Sequence, residues 1–292
     1  MATYREGMSD AEDKVLRAMT DDASFRVMAA MTTSTVADVV RCQKSAPGEA
    51  ERLGGLLTGT ILVRETMSPT LRVQGVIRGA GGKGTLVADS HPDGTARGLA
   101  TLPEGTTQLD IGPGATLMMM RTLPGGKMHQ GVVSLERSPS ISDALMTYMQ
   151  ESEQVKSVID VACIVEDGEV VASGGYIIQL LPELSESQLA IMTERLTDFP
   201  PMAKLLIEGK GDAEHVLDEL LYGMPFTKLS DSPHRFECKC SHVRVVETLA
   251  TLGRDELSSL VADGKPLEIA CDFCGKDYAI TPEQVRGLLS ES

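Results

Sequence analysis

The pattern Cys238-x-Cys240, thirty residues, Cys271-x-x-Cys274 near the C-terminus restricts the folding of this chain more than any other feature. In an extended segment, residues two apart point to the same side, so Cys238 and Cys240 can hold one ion between them. The second pair does the same from a turn, "CDFCGKDY", in which Gly275 can supply a positive φ. Four soft thiolates arriving as two pairs are the ligand set of a closed, tetrahedral zinc site, and one Zn2+ per chain is expected. His234 and His242 flank the first pair, but four cysteines already fill the coordination sphere. The spacing is less like that of the usual iron-sulfur sites.

Such a staple is needed locally. The segment from 234 to 292 is shorter than the roughly 70 to 80 residues below which an apolar core seldom suffices alone. The C-x-C pair is also awkward as a static disulfide. Two residues of extended chain span roughly 7 Å, whereas a disulfide prefers Cα atoms about 5.5 to 6 Å apart. The other two of the six cysteines, Cys42 and Cys163, stand alone in a helical and a strand-like segment and read as small core residues.

With 292 residues, 42% hydrophobic, the chain can bury a sizeable core, and it contains no run of about 20 apolar residues. No membrane partner is expected. The N-terminal "MATYREGMSDAEDKVLRAM" carries acidic residues where a secretory leader would be basic and then apolar, so a cytoplasmic location is expected. A net charge of -15 offers phosphate backbones little to bind, and nucleic acid is not an expected partner.

Three zones follow. Residues 1–183 contain short, glycine-punctuated Val/Ile-rich runs such as "LRVQGVIRGAGGKGTLVAD", "DVACIVEDGEVVASGGYIIQL" and "HQGVVSLE", which read as strands. Helical patterns are interleaved, in "DAEDKVLRAM", "TSTVADVVRCQ" and "ISDALMTYMQES". This is an α+β core domain of mixed sheet and helix. Residues 184–233 read as a helical linker of short helices broken at Pro200-Pro201, Gly209 and Gly211, each too short to stand without a neighbour. Residues 234–292 form the small zinc-binding domain.

No catalytic set is present, and the chain is not expected to be an enzyme. "GAGGKG" (79–84) matches a dinucleotide loop literally, but a strand rather than a helix follows it, so a hairpin is expected. Ser134 lacks the second glycine of a nucleophile elbow. Met118-Met119-Met120, if in a strand, must point alternately in and out, and methionine-rich surfaces adapt to varied partners.

The cysteine pairs, together with "ESEQV" (151–155), "GGYIIQLLPE" (174–183), "RCQKSAPGEAERLGGLLTG", "DGTARGLA" and "HQGVVSLERSPSISDALMTYM", resemble the thirty-three-kilodalton heat-shock protein family of bacteria. That family comprises redox-regulated holdase chaperones, and the resemblance spans nearly the whole chain. It implies that Cys238, Cys240, Cys271 and Cys274 bind zinc in a reduced, inactive state. It further implies that oxidation pairs Cys238 with Cys240 and Cys271 with Cys274, releases zinc, unfolds the C-terminal domain and then the metastable linker, and exposes apolar surface to unfolding client proteins without ATP. The oxidised form would dimerise. The linker stripe Leu189, Met192, Leu196, Met202, Leu205 and Leu206 is the candidate client surface, packed in one state and open in the other. The alternatives are a thiol-disulfide oxidoreductase using Cys271-x-x-Cys274 and an interaction module with permanent structural zinc.

Overall fold

A computed structural model describes residues 12–123, 125–136 and 140–291. Residues 1–11, on which most of the leader argument turns, lie outside that set. The chain divides into two compact units, one ending at Phe236 and the other beginning at Glu237. Among the described residues, no helix is long and apolar enough to cross a membrane.

The first unit begins with β1 (Lys14–Thr20), β2 (Phe25–Met31), α1 (Thr33–Gln43) and α2 (Pro47–Glu65). Five strands follow: β3 (Arg72–Arg78), β4 (Thr85–Ser90), β5 (Thr95–Thr101), β6 (Thr116–Thr122) and β7 (Met128–Ser134). Next come α3 (Ile141–Glu151), β8 (Ser157–Glu166) and β9 (Glu169–Leu180). The unit closes with α4 (Glu186–Asp198), α5 (Met202–Ile207), α6 (Ala213–Leu220), β10 (Phe226–Pro233) and β11 (Arg235–Phe236). The strands form a five-stranded sheet ordered β10-β1-β2-β9-β8 and a six-stranded sheet ordered β11-β5-β4-β3-β6-β7. This is the α+β class expected from the glycine-punctuated runs.

The helix α2 organises the first core. Every residue from Leu53 to Glu65 is buried, so this part of the helix is enclosed on all sides, and Leu53, Leu56, Leu57, Ile61 and Leu62 are fully buried. Its cluster draws Met28 and Ile177 from the five-stranded sheet and Ile77, Leu86 and Leu117 from the six-stranded one. Glycine lets its neighbours come close. A Cβ on Gly54 would lie 2.7 Å from Cys163 Sγ and 2.8 Å from Val36 Cγ1.

A second apolar cluster includes Phe25, Val27, Ala29, Tyr176 and Ile178 of the five-stranded sheet, with Met202, Leu205 and Leu206 of α5 and Val216, Leu217 and Leu220 of α6. The three helices are attached unequally. Asp160 on β8 accepts the backbone N–H of Met202 at 2.7 Å and so caps α5 from the sheet. The Arg195 guanidinium of α4 donates to the carbonyls of Glu219, Leu220 and Tyr222 at 2.8, 3.2 and 2.7 Å, capping the C-terminal end of α6. In α4 itself only Met192 is buried.

Two expectations need correction. "DAEDKVLRAM" is not helical over its described part: Lys14 onward is β1, paired antiparallel with both β2 and β10. Its adjacent apolar residues fit either period, and the two flanking strands decide the outcome. The 184–233 stretch is helical only to Leu220, since 226–233 is β10, an edge strand. Its residues are mostly exposed, so no apolar alternation announced it. The "GAGGKG" segment does join the antiparallel hairpin β3–β4.

The second unit contains α7 (His242–Leu249), α8 (Arg254–Ala262), the antiparallel hairpin β12 (Leu267–Ala270) and β13 (Asp277–Ile280), and α9 (Pro282–Glu291). The boundary falls three residues later than 234, because β11 pairs in parallel with β5 and Phe236 packs on the α2 core.

Candidate metal centre

Two short devices assemble the four cysteines. Residues 237–241 have no regular structure and lead into α7, where the Ser241 hydroxyl accepts the N–H of Arg244 at 3.3 Å. The second pair sits in the turn between β12 and β13. There Gly275 adopts φ +68° and donates its N–H to the Cys271 carbonyl at 2.7 Å, while Cys271 donates its own to Lys276 at 2.9 Å. Positive φ suits glycine because a side chain would clash.

The result is a compact sulfur cluster. One Sγ from each of Cys238, Cys240, Cys271 and Cys274 lies within 4.8 Å of all the others. Cys238 and Cys271 approach to 3.7 Å, and Cys240 and Cys274 to 3.4 Å. Zinc–sulfur bonds of about 2.3 Å would set tetrahedral sulfur–sulfur edges near 3.8 Å. The donor set therefore fits such an ion in number, softness and spacing. All six cysteines are free thiols.

Burial and the hydrogen bonds within the cluster separate the proton affinities of Cys238, Cys240 and Cys274. Burial raises the Cys240 thiol, but hydrogen bonds from Tyr278, at 3.0 Å, and from Cys274 outweigh it and bring it down to about 7. Cys274 is pushed up by burial and by the neighbouring sulfurs, and Cys238 is raised mainly by burial. Like charges at one site disfavour full ionisation, and a divalent cation reverses that penalty. The cluster is thus compatible with a shared cation.

The two histidines are not part of it. His234 belongs to the first unit, where its Nε2 lies 3.4 Å from a Glu65 carboxylate oxygen in a buried group with Arg17 and Arg64. Burial, with the positive charge of Arg64, lowers His234 to about 4. His242 Nε2 faces Gln284 at 3.4 Å. Cys163 is buried on β8 and pushed up to about 12 by burial, and Cys42 is half-buried on α1.

The candidate client stripe is mostly closed. Met192, Met202, Leu205 and Leu206 are buried in the cluster under α4–α6, Leu196 is half-buried and Leu189 is 42% exposed. Residues 152–154 serve the fold: the Glu153 carboxylate accepts from Tyr148 and, at 2.8 Å, from Arg121, while Gln154 adopts φ +57°. Sequence spacing singled out the four cysteines that the fold brings together but could not find Asp160, Arg195 or Tyr278. Their roles depend on partners distant in the chain.

Comparison with known proteins gives a single result. The family model described as "Hsp33 protein" matches residues 13–281. The "33 kDa chaperonin" of Syntrophotalea carbinolica is 31% identical over 289 residues, covering 96% of this chain and 100% of that protein. That of Geobacter sulfurreducens is also 31% identical, covering 94% of each. Among solved structures, the 33 kDa chaperonin (heat shock protein 33 homolog) of Thermotoga maritima has the same fold, with a TM-score of 0.83 at 21% identity over 96% of this chain and 99% of that one.

Proposed function

Because this chain belongs to the Hsp33 family, whose curated relatives are named chaperonins and not enzymes, we propose that it is an ATP-independent holdase chaperone controlled by oxidation. In the reduced state Cys238, Cys240, Cys271 and Cys274 hold one Zn2+ as thiolates. When bound, the ion neutralises the crowded sulfurs and ties the C-x-C segment to the β12–β13 turn. Oxidation then pairs Cys238 with Cys240 and Cys271 with Cys274. Each disulfide forms as two sulfurs give up two electrons to one peroxide molecule, which leaves as two waters once it takes up two protons. The thiolate ligand set is gone at that point.

The observation that carries this reading is the small apolar core of the second unit, packed beside its cysteines. Among the described residues its apolar cluster buries only Leu249, Leu257, Tyr278, Ile280 and Val285, and Cys240 and Cys271 pack against them. Structural zinc contributes an apparent ~10 to 16 kcal/mol in small domains. Losing it should unfold residues 237–291. The linker, 184–233, then loosens, and Leu189, Met192, Leu196, Met202, Leu205 and Leu206 with the sheet face beneath α4–α6 become available to unfolding proteins. A homodimer of the oxidised form and a cytoplasmic setting complete the proposal.

The test follows zinc release and suppression of client aggregation together, in reduced protein and in protein treated with peroxide under mild heating. Release of about one zinc ion per chain, with aggregation suppression that appears alongside it and reverses on reduction, is expected. Zinc that stays bound, or leaves without any gain in client binding, would sink the proposal. Turnover of small disulfides by the reduced protein would favour an oxidoreductase instead.

A further inference from the structure

A cleft of about 770 Å3 opens in the first unit, where the segments that follow α2 and α3 meet the one that leads into α4. Small-molecule sites usually enclose about 300 to 1,000 Å3 behind mainly apolar walls with a few placed polar groups. The walls here are of that kind, with Met67, Leu71, Met149, Val155, Leu184 and Leu189 as their apolar part. None of the charged groups in the cleft takes part in the oxidation switch.

The charges in this cleft do not balance. Half-buried Arg26 donates from Nε, at 2.8 Å, and from Nη2 to the Gln179 side-chain oxygen, and from Nη2 to the Thr66 carbonyl at 3.0 Å. All three bonds end on neutral oxygens. Burial lowers the pKa of Arg26 and no carboxylate offsets it, while the end of α2 at Thr66 supplies only about half a negative charge. Arg121 gives Nη1 to Glu153 at 2.8 Å, but its Nε is buried without a hydrogen-bond partner among the described residues. Glu153 is the one acidic side chain on the described walls, and Tyr148 also donates to it. Exposed Lys156 adds a third cation. The two guanidinium groups converge, since Arg26 bonds Thr66 and Arg121 Nη1 lies 3.9 Å from the sulfur of the next residue, Met67. Three cations thus face one carboxylate that is already engaged, in a chain whose net charge is -15.

We propose that this cleft binds a small amphiphilic carboxylate, its head group between Arg26 and Arg121 and its hydrocarbon tail along Met67, Leu71, Leu184 and Leu189. A guanidinium lacking a counter-charge in a partly desolvated place gains most from an anion brought to it, and its planar edge suits a carboxylate. A compact phosphate would leave the apolar walls uncovered. Polypeptide would set its backbone amides against side chains that cannot pair with them. Leu184 precedes α4 and Leu189 belongs to it, so an occupant ties to the core a helix of which only Met192 is buried, and by linkage holds it closed. That consequence bears on the holdase reading, but the site does not depend on it.

The test titrates the full reduced chain by calorimetry with decanoate below its micelle concentration, with butyrate and with decanol. Decanoate is expected to bind at least about tenfold tighter than either. Arg26→Gln and Lys156→Glu should each weaken decanoate and leave decanol unchanged, whereas Leu189→Ser should weaken both. Circular dichroism verifies folding, and the two variants at exposed positions, Lys156→Glu and Leu189→Ser, carry the test if Arg26→Gln does not fold. Amide exchange in α4 should slow when decanoate is bound. Equal affinity for decanoate and decanol, variants that bind as the parent does, or α4 exchange that decanoate leaves unchanged overturns the proposal. So does tighter binding of a short apolar peptide with a free C-terminal carboxylate, which would assign the cleft to polypeptide ends. A dimer that Lys156→Glu abolishes in protein that takes no decanoate overturns it as well, since the cleft is then a self-interface. Aggregation suppression by the oxidised parent, run in parallel, separates the readings: its failure with decanoate binding intact removes the holdase and leaves the site.

Discussion

The two units of this chain are held together by different means. The first encloses α2 between two sheets and seals a second sheet face with helices, so dozens of small apolar contacts share its stability. Among its described residues, the second buries five apolar side chains beside a cluster of four thiols. A distributed core cannot be removed by one chemical event, whereas a staple can. The difference is what a switch requires, since one part must fail completely while the other stays folded.

Metal removal should break the comparison most visibly. Chelation, or Cys271→Ser, is expected to abolish amide protection across 237–291 while the protected amides of β2, β9 and α2 are retained, a loss on the order of 10 kcal/mol of metal-linked folding energy. Hydrogen exchange followed by mass spectrometry reads both units in one experiment. A second unit that stays protected without metal would mean that its small core suffices.

The reverse perturbation is Gly54→Ala. Better helix propensity, about 1 kcal/mol, is opposed by contacts under 3 Å to Cys163 and Val36. Overpacking of this kind costs about 1 to 3 kcal/mol. The melting point of the first unit should fall with zinc affinity unchanged, and a coupled loss of zinc would show that the units do not fail independently.

Acid should act on the first unit through His234. Its pKa is lowered from 6.5 to about 4, so the folded state holds it neutral. The stability this contributes is complete above pH 6.5 and is lost as pH falls toward 4, with a slope of at most ~1.4 kcal/mol per pH unit. Denaturant titrations of the parent and of His234→Gln should diverge in that window. Parallel curves would show that His234 is not the responsible group.

The smallest effect expected is that of Arg195→Ala. It removes three hydrogen bonds to the end of α6, a charge–dipole contact usually worth about 0.3 to 1 kcal/mol. Faster exchange confined to α4 is the expected result. It would identify α4, with Leu189 and Ile191 already exposed, as the first of the linker helices to loosen.

Much of the four-cysteine cluster was legible because its information is local. Cys238 and Cys240 share a side of one segment, Cys271 and Cys274 share one turn, and Gly275 has the positive φ that such a turn needs. The hairpin at "GAGGKG" and the alternation of Met118, Met119 and Met120 were legible for the same reason. Period and turn chemistry belong to a few consecutive residues.

Other features exist only through partners far along the chain. The segment after Asp13 became β1 because β2 and β10 flank it, and 226–233 became a strand by pairing with residues more than two hundred positions earlier. Asp160 caps a helix that begins forty-two residues later. By itself, then, the sequence determined the two cysteine pairs, the α+β class and the local turns, whose energies are set by neighbours in the chain. Only the tertiary structure decided strand register, helix attachment and which apolar residues are buried, because those depend on surfaces that no short window of sequence contains.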